Sequence, residues 1–144
     1  MQDAIPASAK AITVETTVFS PMDRVWSCWN DPAHITQWAF ASDDWEAPRA
    51  ENDLRVGGKF VTVMAAKDGS ASFDFNGIYT IVEEHAHIAY TMEDGRTVRV
   101  DFLATNGGVT VTETFEMENE NSEEMQRAGW QAILEQFKKH AESH

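Results

Sequence analysis

A single cysteine, Cys28, stands among the 144 residues. It excludes an intramolecular disulfide and a zinc site built on cysteines, and it fits a reducing compartment. Basic side chains are also scarce: 11 Lys and Arg face 24 Asp and Glu, for a formal net charge of −13. The one basic doublet, Lys138-Lys139, is no nucleic-acid patch. Phosphate backbones and anionic membrane surfaces would be repelled, so neither nucleic acid nor membrane is an expected partner. No apolar run approaches the ~18 residues of a membrane-spanning helix. Residues 1–10 (MQDAIPASAK) lack the basic and apolar regions of a signal peptide. Also missing are a nucleophile elbow, a P-loop, a dinucleotide fingerprint and an H-E-x-x-H motif. Repeats, linkers and low-complexity stretches are absent too. These absences leave one cytoplasmic domain over residues 11–144, preceded by a frayed tail over 1–10, with no cofactor and no metal expected.

Large side chains are plentiful: five Trp, eight Phe and six Met. A chain of this size buries roughly 70% of its unfolded surface, which is enough for a real core. Asn121 to Ala141 is the one long helical pattern. Trp130, Ile133, Leu134, Phe137 and Ala141 recur at helical period, and Met125 and Gly129 extend the stripe. Asn121 and Ser122 compete as its N-cap. Earlier, Ile12, Val14, Thr16 and Val18 alternate as a half-buried strand. Ser20 then reads as the N-cap of a short helix with Pro21 at its first position and Met22, Val25, Trp26 and Trp29 inward. Asp31-Pro32 ends it and starts another, on which Ile35 and Trp38 share a face.

Residues 39–57 are the least regular, with short strands expected near Asp43–Glu46 and Asp53–Val56; a mobile flap would fall here. A meander follows. Lys59–Ala65 and Ser72–Val82 read as strands, the second with Phe73, Phe75, Gly77, Tyr79 and Ile81 on one face. Ile88, Tyr90 and Met92 form the next face, and Asp94-Gly95 is a hairpin signal. Val98, Val100 and Phe102 follow, then Val109, Val111, Glu113, Phe115 and Met117. Short loops imply antiparallel pairing. The economical architecture is α+β: one curved antiparallel sheet wrapped around the C-terminal helix, with two short helices after the first strand.

Several motifs carry a resemblance over about residues 12–141. They are Val25-Trp26 to Asp31-Pro32 with Trp38, the run Asp53 to Phe60 (DLRVGGKF), Gly77-Ile78-Tyr79, Tyr90-Thr91-Met92, and Gly129-Trp130 with Ile133-Leu134. In this order the chain resembles the START-like or SRPBCC superfamily, the helix-grip fold. Within it the likeness is to small stand-alone bacterial members of the family of activators of the 90-kDa heat-shock-protein ATPase. The resemblance implies a cavity between sheet and helix, which superfamily relatives use for lipids, sterols, polyketides and other apolar ligands. It also implies a chaperone as a possible partner. Eukaryotic members work on the chaperone largely through an additional N-terminal domain, for which this chain leaves no room.

On that reading Trp26, Trp38, Phe60, Phe75, Tyr79, Tyr90, Phe102, Phe115, Met125 and Trp130 point inward, with Gly129 and Ile133 beside them, as a ligand-binding set or as ordinary core. Gly129 reads as a close-packing position. Glu113 shares its face with Val111 and Phe115, where a carboxylate needs a partner or a raised pKa. Arg55 or Arg99 as partner, a bulge turning it outward, and a pocket acid all stay open. His85 and His87 form an H-x-H pair on a turn without a third ligand, Cys28 reads as a small buried hydrophobe, and His34 as a surface residue. The leading function is binding of an apolar small molecule by a monomer or homodimer. The alternatives are a chaperone-associated protein acting through its surface, and a cyclase- or hydrolase-like enzyme using Glu113.

Overall fold

Period-two alternation dictates the sheet, and the pairing follows it closely. The computed structural model describes residues 10–143; of the tail expected over 1–10, only Lys10 is among them. In chain order come β1 (Ala11–Val18), α1 (Met22–Asn30), α2 (Pro32–Ile35), β2 (Trp45–Asn52), β3 (Lys59–Ala66), β4 (Ser72–Glu83), β5 (His87–Met92), β6 (Thr97–Thr105), β7 (Gly108–Glu116) and α3 (Glu123–Glu142). One seven-stranded sheet has the order β1-β7-β6-β5-β4-β3-β2, antiparallel throughout. From β2 to β7 it is a simple meander. Only the β1–β2 connection, carrying α1 and α2, passes from one edge to the other.

Burial along β7 alternates at every residue, with Val109, Val111, Glu113 and Phe115 inside. On α3, Leu134, Phe137 and Ala141 are fully buried. Ser122 caps this helix, its Oγ accepting from the Met125 N–H at 3.1 Å, whereas Asn121 bonds to Glu118. The helix also runs along the free edge of β1. Arg127, Gln131 and Lys138 donate to the carbonyls of Thr13, Glu15 and Thr17 at 3.1, 3.1 and 2.6 Å. An edge so occupied cannot template another strand.

Four expectations need correction. Pro21, not Ser20, holds the cap position of α1, and no side chain caps it. The Ser20 N–H turns back to the Val18 carbonyl, while Val25 donates to Pro21, so the helix begins one residue later. Second, the two short strands expected in 39–57 are one strand, β2, hydrogen-bonded to β3 and passing through Pro48. Pro48 is tolerated because β2 is an edge strand whose register shifts between Glu46 and Arg49. Asp53–Val56 is a turn.

Third, β4 slips register between Tyr79 and Ile81. Val82 thus pairs with inward Ile88, and Ile81 leaves the face that holds Phe75 and Tyr79. Fourth, Met125 is 63% exposed while Gln126 is buried. Five residues before Trp130 is about 140° away around a helix, whereas four residues is about 40°.

Candidate functional site

A cavity of about 360 Å³ lies between the sheet and α3, at the lower end of the ~300–1,000 Å³ range of small-molecule sites. Tyr79, Ile88, Tyr90, Met92 and Glu113 form its floor, and Gln126, Trp130 and Ile133 its roof. Trp29, Ile35 and Trp38 close one side; Phe60, Thr62, Met64 and Phe75 close the other, with half-exposed Phe73 at the rim.

Aromatic contacts hold these walls. The Phe60 ring meets Tyr90 edge-on at 4.7 Å and Tyr79 at 5.2 Å. Gly77 makes that possible: a Cβ there would lie 2.9 Å from the Phe60 ring and 2.9 Å from the Thr91 carbonyl. Trp130 stacks on Phe115 at 3.9 Å and an interplanar angle of 10°, and its edge approaches Phe75 at 6.0 Å. One ring of α3 thereby links β7 to β4 across the cavity.

Most polar groups of the lining are already satisfied. The Tyr79 hydroxyl donates to Asn52 Oδ1, and Asn52 Nδ2 donates to the Asn30 carbonyl at 2.7 Å. Gln126 accepts from the Glu118 N–H and donates to the carbonyls of Glu118 and Asn121. Arg96 pairs with Asp94 at 2.7 Å.

Three buried groups of the lining are not so satisfied among the described residues: the Thr62 and Tyr90 hydroxyls and the Glu113 carboxyl. Flanked in the sheet by Val14 and Val100 in unbroken register, Glu113 is 5% exposed. Among the described residues its carboxyl has no hydrogen bond or ion pair. Arg55 pairs with Asp53, and Arg99 with Asp101, each at 3.0 Å. Neither arginine is its partner, and the unbroken register leaves no bulge to turn it outward. Burial pushes the Glu113 carboxyl up to about 8, so it is mostly the neutral acid at pH 7, able both to donate and to accept. Burial likewise raises the Tyr90 hydroxyl, and the nearby Glu113 charge raises it further.

Of the residues singled out from sequence, Trp38, Phe60, Phe75, Tyr79, Tyr90, Glu113, Trp130 and Ile133 line the cavity. Phe115 sits behind Trp130. Trp26 and Phe102 pack on each other at 5.1 Å in the core outside the cavity. Met125 points to solvent. Gly129 does not serve close packing, because a Cβ there would meet nothing within 4 Å. Three residues after Gln126 and four before Ile133, it flanks the roof. The reading missed Asn52, on a strand whose pairing no local signal announced, and Thr62, which strand alternation from inward Phe60 could have found. It also missed Gln126, which helical spacing from Trp130 could have found.

Among the described residues the histidines and the cysteine fall in two places. His87 contacts Glu83 at 3.1 Å and Asp101 at 3.6 Å, and His85 sits on the exposed turn against Trp26. Cys28 is buried, and beside it His34 Nδ1 lies 2.8 Å from His140 Nε2.

A curved antiparallel sheet gripping a C-terminal helix over an apolar cavity defines a START-like, helix-grip domain. The chain belongs to the family described as Activator of Hsp90 ATPase homolog 1-like protein, whose model matches residues 20–142. A solution structure of an AHSA1-like protein from Aeromonas hydrophila is 44% identical, with 93% of each chain covered and a TM-score of 0.87. A protein from Cytophaga hutchinsonii is 50% identical over 92% of each chain, with a TM-score of 0.80. One from Nitrosomonas europaea shares the fold at 21% identity, TM-score 0.82, covering 97% of this chain and 98% of its own. No curated protein matches.

Proposed function

We propose that this domain binds an apolar small molecule bearing one uncharged hydrogen-bonding group, working in the cytoplasm without catalysing a reaction. Glu113 carries the reading. A carboxyl this buried costs several kcal/mol if left unpaired, yet it opens into the cavity, where among the described residues only the weaker Thr62 and Tyr90 hydroxyls share its lack of a side-chain hydrogen-bond partner at this depth. A ligand hydroxyl or carbonyl that meets Glu113 would remove that cost, while the aromatic walls take the apolar body. The lone buried cysteine fits a reducing compartment.

The test is displacement of a neutral polarity-sensitive dye by a medium-chain alcohol and by the alkane of equal length. The wild type is expected to bind the dye saturably and to favour the alcohol about tenfold or more, about one hydrogen bond's worth. Glu113→Leu should retain dye binding and lose that preference. Absence of saturable binding, or a preference unchanged in Glu113→Leu, would refute the proposal.

A further inference from the structure

Cys28, His34 and His140 come from three different helices. Cys28 lies in α1, His34 in α2 and His140 in the last turn of α3, and one ligand atom from each lies within 4.8 Å of the other two. None of the three lines the apolar cavity. Cys28 and His140 are buried, and His34 is partly so.

The junction is also braced. Trp38 Nε1 donates to the Cys28 carbonyl at 2.8 Å, and the Asp31 carboxylate caps α2 by accepting from Ala33 at 2.9 Å. These contacts fix α2 on α1 and hold the thiol and the His34 ring on the same side. A surface cleft bounded by Pro21, Asp23, Arg24 and Ser27 reaches Cys28 and His34, which supplies an entry path.

We infer that Cys28, His34 and His140 bind one divalent ion of the zinc type, with a fourth position open to water. Two imidazoles and a thiolate form a borderline-soft donor set, which suits Zn²⁺ and not the oxygen-seeking Mg²⁺ or Ca²⁺. Nitrogens on a tetrahedral zinc at ~2.0–2.1 Å stand about 3.3 Å apart. The present His34–His140 separation of 2.8 Å must therefore widen by about half an ångström. His34 is only partly buried whereas Cys28 and His140 are buried, so its ring, not the helix that carries it, takes up that shift. Zn²⁺ with one thiolate and two neutral imidazoles adds a charge of about +1, which a chain of net charge −13 favours. Of the near charges, Asp31 and the cleft's Asp23 favour the ion and Arg24 opposes it.

The experiment uses the full chain, tag-free and stripped with chelator. Zn²⁺ is titrated against a chromophoric competitor, native mass spectrometry counts the ions, and Co²⁺ serves as spectroscopic substitute. One Zn²⁺ per chain is expected, with a raised Tm because the ligands join three elements. Co²⁺ should give tetrahedral visible bands and a sulfur-to-cobalt charge-transfer band. Cys28→Ser and His140→Gln should each weaken Zn²⁺ by more than the roughly 10–100-fold typical of outer-shell changes. The double variant His85→Gln/His87→Gln should bind as the wild type does. Lack of stoichiometric Zn²⁺ binding, a Co²⁺ complex without the sulfur band, or loss of binding only in the His85/His87 variant would each overturn the assignment. Because the cobalt spectrum is read on the wild type, a variant that fails to fold does not blunt the test.

Discussion

Glu113 shows how one residue sets a pH dependence. Its carboxyl titrates near 8 in the fold against 4.5 for the free group. Between those values the folded state holds a proton that the unfolded state has lost. Stability therefore falls as pH rises through that window, at up to about 1.4 kcal/mol per pH unit. Tyr79, Tyr90, Arg96, Glu51 and Glu118 share the cavity and are present in both wild type and variant, so the difference isolates Glu113. Urea unfolding at pH 5 and pH 8 should show Glu113→Gln gaining roughly 3 kcal/mol on the wild type over that interval. A constant difference would mean that Glu113 is charged at neutral pH and that its burial has been offset by some other group.

At the scale of an element, α3 carries two separable duties. Its inner stripe of Leu134, Phe137 and Ala141 holds the core, while Gln126, Trp130 and Ile133 roof the cavity. Gly129 belongs to neither, although it sits in mid-helix where glycine costs ~1 kcal/mol relative to alanine. With open space around its missing Cβ, Gly129→Ala should stabilise the protein by about 0.5–1 kcal/mol in chemical unfolding. Gly129→Phe should remain folded and weaken dye binding about tenfold, since its ring is placed beside Ile133 at the roof, the order of one displaced apolar contact set. Destabilisation by alanine would show that the helix needs close approach there after all.

For the molecule as a whole, charge imbalance is the dominant surface property. Many of the ion pairs join neighbours in sequence and lie well exposed, such as Arg55–Asp53 and Arg127–Glu123, and pairs of that kind contribute little. Self-repulsion of 13 net negative charges reaches across the protein at low salt, where the screening length is ~30 Å at 0.01 M, and falls within ~10 Å at 0.1 M. Calorimetry should find Tm rising ~2–4 °C, a gain of about 1 kcal/mol, from 0.01 to 0.3 M NaCl. A falling Tm would mean that the ion pairs outweigh the repulsion. No helix among the described residues is long and apolar enough to cross a membrane.

Strand and helix periodicity act locally, so the sequence alone determined the sheet meander, the inward face of β7 with Glu113 on it, and the buried stripe from Leu134 to Ala141. The hairpin signal at Asp94-Gly95 did the same for its turn, because Gly95 adopts the positive φ that bend requires. Tertiary structure decided everything that depends on a partner distant in the chain. An edge position let β2 run through Pro48, and cross-strand pairing placed a bulge that turned Ile81 out and Val82 in. Arg55 and Arg99 pair locally, each with a carboxylate two residues away; that neither reaches Glu113 was decided by the packing of α3 over β7. His140 reached His34, 106 residues away, only because α3 folds back along β1 and ends against α1. Local propensity fixes which way a side chain points from its own element; what it then faces is set by the packing of elements that the chain brings together last.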